Sequence, residues 1–135
     1  QNLGVKVELN TVGDYQMLAN ERDNKNYDIF VGGWFSDYND PLDFLNIMKT
    51  GVYDSYGLYS NSEYDSLIDS LTGENDNAKR LEIYQKLEDL LVAQDCGVAP
   101  LYYSDKHYYY QNWVKDFYTS SFGASQELYR ASVQK

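Results

Sequence analysis

The sequence is poor in the residues from which most catalytic and metal sites are built. It has one histidine, His107, and one cysteine, Cys96, among 135 residues. Zinc sites need several His and Cys ligands, and a nucleophilic triad needs a base beside its Ser or Cys, so neither is predicted. No glycine-rich phosphate loop is present, and no metal or cofactor is expected. A lone cysteine cannot form an internal disulfide, so we expect a buried, inert thiol, and we expect His107 at the surface or an interface.

Basic residues are scarce, and long apolar runs are absent. The chain has 11 Lys and Arg against 21 Asp and Glu, a net charge of −10. Such a surface would repel phosphate, so a nucleic-acid partner is not expected. No apolar run within residues 1–135 is long enough to span a bilayer, and a signal peptide is not expected within these residues. Because a strand pattern begins almost at Gln1, we expect the chain to be a part of a longer protein.

Tyrosine is abundant, with 15 residues, and aromatic side chains make up 16% of the chain. Tyrosine combines rigid contact area with a polar tip and is common at binding surfaces. Three consecutive tyrosines lie within a short extended segment, residues 107–111. One functional hypothesis is therefore a small interaction module whose Tyr-rich strand 108–110 adds to the edge of a partner's sheet.

The order of elements predicts an α/β fold. Apolar residues alternate over 5–9 and form a run over 27–33, which predicts two strands, and a weak helix pattern over 15–21 between them suggests a parallel β-α-β unit. Three further helices are predicted over 41–49, from Ser60 to Gly73 and from Asp76 or Asn77 to Gly97. Ser60 is the predicted cap of the second, and the third has an apolar stripe that begins at Leu81. Residues 98–103 read as an extended edge segment.

The loop between the second strand and the next helix is the candidate binding site. Ligands of open α/β sheets bind at the carboxyl ends of strands, and this loop carries Trp34, Asp37, Tyr38 and Asn39. The preceding glycine pair, residues 32–33, suggests a close backbone approach. Asp40 is expected to cap the helix that Pro41 begins, which leaves Asp37 as the free carboxylate. A hydrolase that uses Asp37 is a weaker alternative, because acid–base chemistry usually needs a second carboxylate.

Several segments resemble one protein family in the same order. Residues 33–41 read Gly-Trp-Phe-Ser-Asp-Tyr-Asn-Asp-Pro. They resemble the Gly-Trp-x-x-Asp-Tyr-x-Asp-Pro signature of the family 5 extracellular solute-binding proteins, the oligopeptide- and dipeptide-binding group that serves peptide ABC transporters. Four more segments resemble that family, namely residues 3–9, 59–68, 80–84 and 99–103. The similarity extends to about Trp113.

The resemblance implies a periplasmic-binding-protein-like (type II) C-terminal lobe, with a small mixed sheet flanked by helices. Residues 1–103 would form this ligand-binding lobe, and residues 104–135 would be a hinge-crossing tail that belongs to the other lobe. Self-association through this aromatic tail is expected. The complete protein would be extracellular, either lipid-anchored at the outer face of the membrane or periplasmic. It would be non-catalytic, capturing peptides and delivering them to the permease subunits of an ABC transporter.

The resemblance also implies roles for individual residues. Asp37 matches the aspartate that pairs with the peptide α-ammonium in the family. Trp34 would line a side-chain pocket, beside Tyr38 and Asn39 of the same loop, and Tyr103 would lie near the mouth of the hinge. The alternative for Trp34 and Tyr103 is that both are core aromatics.

Overall fold

The computed structural model describes residues 3–25, 27–52, 58–120, 122 and 128–134. Residues 1–31 and 32–135 form two compact units, which are described separately. The first unit contains helix α1, Tyr15–Asp23. The Asp14 carboxylate accepts a hydrogen bond of 2.8 Å from the Met17 N–H, which satisfies one of the free amides of the first turn. The predicted first helix is therefore confirmed.

The two strands predicted over residues 5–9 and 27–33 do not form. Neither segment pairs with another within the described residues, and the apolar side chains of Val5, Leu9 and Ile29 are mostly exposed. A strand is stable only when a neighbour pairs its N–H and C=O groups, so an alternating pattern alone does not produce one. The predicted parallel β-α-β unit was wrong for the same reason. The close backbone approach expected at the glycine pair is not found at Gly33, where a Cβ would meet nothing within 4 Å.

The second unit is built from packed helices. Helix α2 spans Leu42–Asn46, α3 spans Ser62–Ser70, and α4 spans Asn77–Glu88 and continues as a π-helical segment, Asp89–Gln94. The buried hydrophobic side chains all come from these helices or the turns that follow them. They are Leu45, Met48, Tyr64, Ile68, Leu71, Tyr84, Leu87, Leu90 and Leu91. The apolar stripe predicted for the long helix is buried from Tyr84 onward, whereas Leu81 faces solvent. Leu42 and Leu67, also expected in the core from their spacing, are partly buried and pack against it.

The caps of α3 and α4 are side chains that accept from free amides. The Asp76 carboxylate accepts from the Ala78 N–H at 2.9 Å, which confirms one of the two predicted starts of the long helix. The predicted Ser60 cap was wrong by one residue. The Asn61 side-chain oxygen accepts from the Glu63 and Tyr64 N–H groups at 2.8 and 3.1 Å instead. Ser60 lies outside the helix, where its hydroxyl contacts the Thr50 hydroxyl.

The helical region ends at a tight turn beside Tyr59. The Gly97 N–H donates to the Leu91 carbonyl at 2.8 Å, and a Cβ at Gly97 would lie 2.7 Å from the Tyr59 ring. Only glycine fits there without displacing the ring. The preceding residue, Cys96, has a φ of +51° and is exposed, so the expectation of a buried thiol was wrong.

Residues 98–111 form no strand, contrary to the two extended segments expected at 98–103 and 107–111 to serve as sheet edges. The sheet of the described chain is a two-stranded antiparallel pair, β1 (Val114–Lys115) and β2 (Ser132–Val133), with Val114 opposite Val133. His107 is exposed, as expected. The division into residues 1–103 and 104–135 stays a prediction. None of the helices in the described ranges has the length and hydropathy to cross a bilayer.

Candidate functional site

A buried carboxylate, Asp43, fixes the loop that precedes α2. Asp43 is 6% exposed and belongs to the first turn of that helix. Its Oδ2 atom accepts from the Trp34 indole Nε1–H at 3.0 Å and from the Asp37 backbone N–H at 2.9 Å. A carboxylate that accepts two hydrogen bonds holds both donors in a defined geometry. Asp43 therefore connects the two ends of residues 34–37.

A second carboxylate, Asp40, attaches the same loop to α4. Its Oδ1 accepts from the Leu42 N–H at 2.9 Å and from the Tyr84 hydroxyl at 2.5 Å, and its Oδ2 accepts from Arg80 Nη2 at 2.7 Å. The bond to Leu42 is the predicted capping contact of Asp40, although α2 begins one residue after Pro41. The ion pair with Arg80 is partly buried, since the side chains are 19% and 30% exposed.

These contacts change the pKa values of both partners. Partial burial would raise the pKa of Asp40. The bonds from Tyr84 and Leu42 and the Arg80 charge outweigh it, so the net effect lowers that pKa below its usual 3.8. Burial and the bond to the Asp40 carboxylate raise the pKa of Tyr84 to about 12. The phenol therefore stays protonated and the carboxylate ionised at neutral pH, which is the pairing that the hydrogen bond needs.

The third carboxylate of this region, Asp37, faces solvent. Its backbone N–H is bound by Asp43, but its carboxylate has no hydrogen bond or salt bridge to any residue that the structure describes. The sequence-based expectation that Asp40 is occupied and Asp37 is free therefore agrees with the geometry. An exposed carboxylate on a backbone held by hydrogen bonds can pair with a cation from outside.

The remaining predicted site residues lie in different surroundings. Trp34 is half-buried, and its indole donates to Asp43 as described. Tyr38 and Asn39 are exposed in the same loop. The pKa of Tyr38 is raised, first by desolvation of the shielded part of its side chain and then by the charges of Asp43, Asp40 and Asp37. Tyr103 is 99% exposed, so it is not a core aromatic.

The segment that follows Tyr103 does return to the loop. The Lys106 ammonium lies 4.5 Å from the centre of the Phe35 ring, within the range of a cation–π contact. The structure thus brings Trp34, Asp37, Tyr38 and Asn39 together on one loop. For Tyr103, no hydrogen bond or ring contact with this loop is found within the described residues.

Three residues that shape the site were missed by sequence reasoning. Asp43 lies in the first turn of a predicted helix, where an acidic residue is common in any case, and Arg80 and Tyr84 lie in a helix far away in the sequence. Arg80 and Tyr84 are four residues apart, so they share one face of α4. The available signal was that an arginine and a tyrosine share this face. The carboxylate that binds Arg80 lies 40 residues earlier in the chain, and spacing alone does not identify it. No group of three or more His, Cys, Asp or Glu able to hold a metal ion is found among the described residues.

Comparison with known proteins relates the chain to peptide-binding proteins. No protein-family model matches it. It is 32% identical over 118 residues to the oligopeptide-binding protein OppA of Bacillus subtilis, which covers 86% of this chain and 20% of that protein. It is 31% identical over 114 residues to the periplasmic oligopeptide-binding protein OppA of Salmonella typhimurium, covering 84% and 21%. The chain thus spans about a fifth of the length of these relatives.

Solved structures of peptide-binding proteins are also similar to this chain. The substrate-binding domain of an oligopeptide ABC transporter from Bacillus anthracis superposes with a TM-score of 0.81 at 28% identity, over 93% of this chain and 24% of that one. The peptide-binding pheromone receptor PrgZ superposes with a TM-score of 0.78 at 26% identity, over 98% and 25%. The predicted fold class is confirmed as helices with a small sheet from a solute-binding-protein lobe. The chain is homologous to a part of the OppA-type substrate-binding proteins of peptide ABC transporters.

Proposed function

We propose that this chain is part of a protein that captures peptides and anchors their α-ammonium group on Asp37. The observation that carries the proposal is the contrast within residues 37–43. Asp40 and Asp43 use their carboxylates to hold the loop, whereas the Asp37 carboxylate is exposed and has no hydrogen-bonding partner among the described residues. An ammonium would complete this arrangement.

The chemistry of this anchor suits a carrier of varied peptides. A charge-assisted hydrogen bond contributes about 1.5–3 kcal/mol net. It recognises the one group that every free peptide carries, and so it leaves the side chains unspecified. Trp34, Tyr38 and Asn39 lie on the same loop and would contact the first residues of the peptide. Tyr103 lies in the segment that leads to Lys106 and would be near the mouth of the hinge.

The wider role follows from the relatives. Proteins named as oligopeptide-binding, and a substrate-binding domain of an oligopeptide ABC transporter, are similar to this chain, and these named relatives are binding proteins rather than enzymes. We therefore extend the proposal to delivery of the peptide to an ABC permease. The site of action would be the periplasm or the outer face of the cell membrane, with a lipid anchor in the latter case.

The test compares two peptides that differ only at the N-terminus. Asp37→Asn, made in the complete protein with the sequence that flanks residues 1–135, keeps the side-chain shape and removes the charge. Calorimetric titration should show affinity for a peptide with a free N-terminus falling roughly ten- to a hundredfold, because the charge-assisted bond is lost. Affinity for the N-acetylated peptide should hardly change.

The matched control is Glu82→Gln, which removes one exposed negative charge on α4. It should leave both affinities as they are. Equal losses for the two peptides in Asp37→Asn would contradict the role of Asp37 as the ammonium anchor.

A further inference from the structure

We infer that Arg80 and Tyr84 are positioning residues for the peptide-binding loop, acting through Asp40. The inference rests on the function proposed above. Neither residue belongs to the loop, and both lie on α4, about 40 residues away along the chain. Their side chains nevertheless supply two of the three hydrogen bonds that the Asp40 carboxylate accepts from the described residues.

Arg80 joins three parts of the second unit. Nη2 donates to Asp40 at 2.7 Å and to the Tyr84 hydroxyl at 2.5 Å, and Nη1 donates to the Glu74 carbonyl at 3.2 Å. The planar guanidinium presents its donors in a fixed fork, so partners on one side define the position of partners on the other. Arg80 therefore connects the loop both to the turn that follows α3 and to α4.

Tyr84 gives this arrangement a rigid base. It is 8% exposed and belongs to the hydrophobic core, so its ring cannot move without disturbing the packing. Its hydroxyl donates to Asp40 Oδ1 and accepts from Arg80. The three polar groups thus form a closed set in which each contacts the other two.

A displacement of Asp40 would be transmitted to Asp37 through the hydrogen-bonded backbone between residues 37 and 43. The Asp40 N–H donates to the Tyr38 carbonyl at 3.0 Å, and the Asp43 N–H donates to the Asp40 carbonyl at 3.1 Å. Asp43 in turn binds the Asp37 N–H. A shift of Asp40 would therefore displace the contacts that hold the backbone of Asp37 and Tyr38, and with it the base from which the Asp37 side chain extends. A misplaced anchor would weaken pairing with an ammonium more than it would weaken other contacts of the peptide.

Tyr84→Phe in the complete protein removes only the hydroxyl. Titration should show affinity for the free-amino peptide falling roughly three- to tenfold, with affinity for its N-acetylated form unchanged. In the Asp37→Asn background the same substitution should cause no further loss, because the group being positioned is gone. Arg80→Lys, which keeps the charge but loses the fork, should show the same selectivity and replaces Tyr84→Phe if that variant fails to fold.

Tyr59→Phe is the matched control, since it removes a phenol hydroxyl that donates to another carboxylate, Asp95, at 2.7 Å. It should not discriminate between the two peptides. A loss in Tyr84→Phe that is equal for both peptides, or no loss at all, would overturn the positioning role while leaving the Asp37 anchor intact. If Asp37→Asn itself fails to discriminate, the proposed function falls, and this inference falls with it.

Discussion

At the scale of single residues, three aspartates within seven positions have different roles because different groups face them. Asp43 is buried and accepts from Trp34 and from the Asp37 backbone. Asp40 is partly buried and accepts from Arg80, Tyr84 and Leu42. Asp37 faces solvent. The residue type is the same in each case, and the surroundings decide whether the carboxylate holds the loop or is available to a ligand.

We expect Asp43→Ala to destabilise the protein by about 1–2 kcal/mol, because it leaves the Trp34 indole and the Asp37 amide without their acceptor. Urea unfolding measures the change. Asp28→Ala, which removes an exposed carboxylate, is the control and should leave the midpoint unchanged. A midpoint for Asp43→Ala equal to that of the parent would show that water replaces these contacts without loss.

At the scale of elements, local signals predicted the helices well. The apolar spacing and the cap at Asp76 depend on residues a few positions apart, and both are present in the structure. The α3 cap was misplaced because Ser60 and Asn61 are both good caps, and sequence alone does not separate them. Strands at 5–9 and 27–33 were wrong because a strand depends on a partner that its own residues do not specify.

The candidate site likewise has parts that could be predicted from the sequence and parts that could not. The exposed Asp37 carboxylate and the occupied Asp40 could be predicted, because a capped helix start and an unassigned Asp37 lie close together in sequence. That a ligand binds at this loop stays a prediction. The hydrogen bonds from α4 to Asp40 could not be predicted, because they depend on how two distant segments pack. Tyr103 was assigned from a motif alone, and its role stays a prediction.

The hydrogen bonds that Asp40 accepts from Arg80 and Tyr84 should make the free energy of unfolding depend on pH. The folded-state pKa of Asp40 is lowered, so its contribution is complete above the unfolded value of 3.8 and is lost as pH falls through the folded value. We expect the urea midpoint of the parent to decrease from about pH 5 downward. In Asp40→Asn the midpoint should be lower at neutral pH and should change less on acidification.

Asp28→Asn is the control for this experiment and should follow the parent at every pH. If the profiles of Asp40→Asn and the parent run parallel through the acidic range, the Asp40 carboxylate is not stabilised by Arg80 and Tyr84 in solution.

At the scale of the whole molecule, the chain spans about a fifth of the length of its OppA-type relatives. Many apolar side chains in segments without regular structure are exposed. Examples are Val7, Val31, Leu101 and Tyr109. Exposed apolar surface of this kind is typical of a region that packs against another part of the protein or against a partner. Self-association through residues 104–135 stays a prediction.

The most direct test of the proposed Asp37 anchor is the crystal structure of the complete protein with a bound tripeptide whose N-terminus is free. We expect the α-ammonium nitrogen to lie about 2.7–2.9 Å from an Asp37 carboxylate oxygen, with Trp34 and Tyr38 beside the first residues of the peptide. A peptide bound with its N-terminus on another residue, and with the Asp37 carboxylate still in solvent, would contradict it.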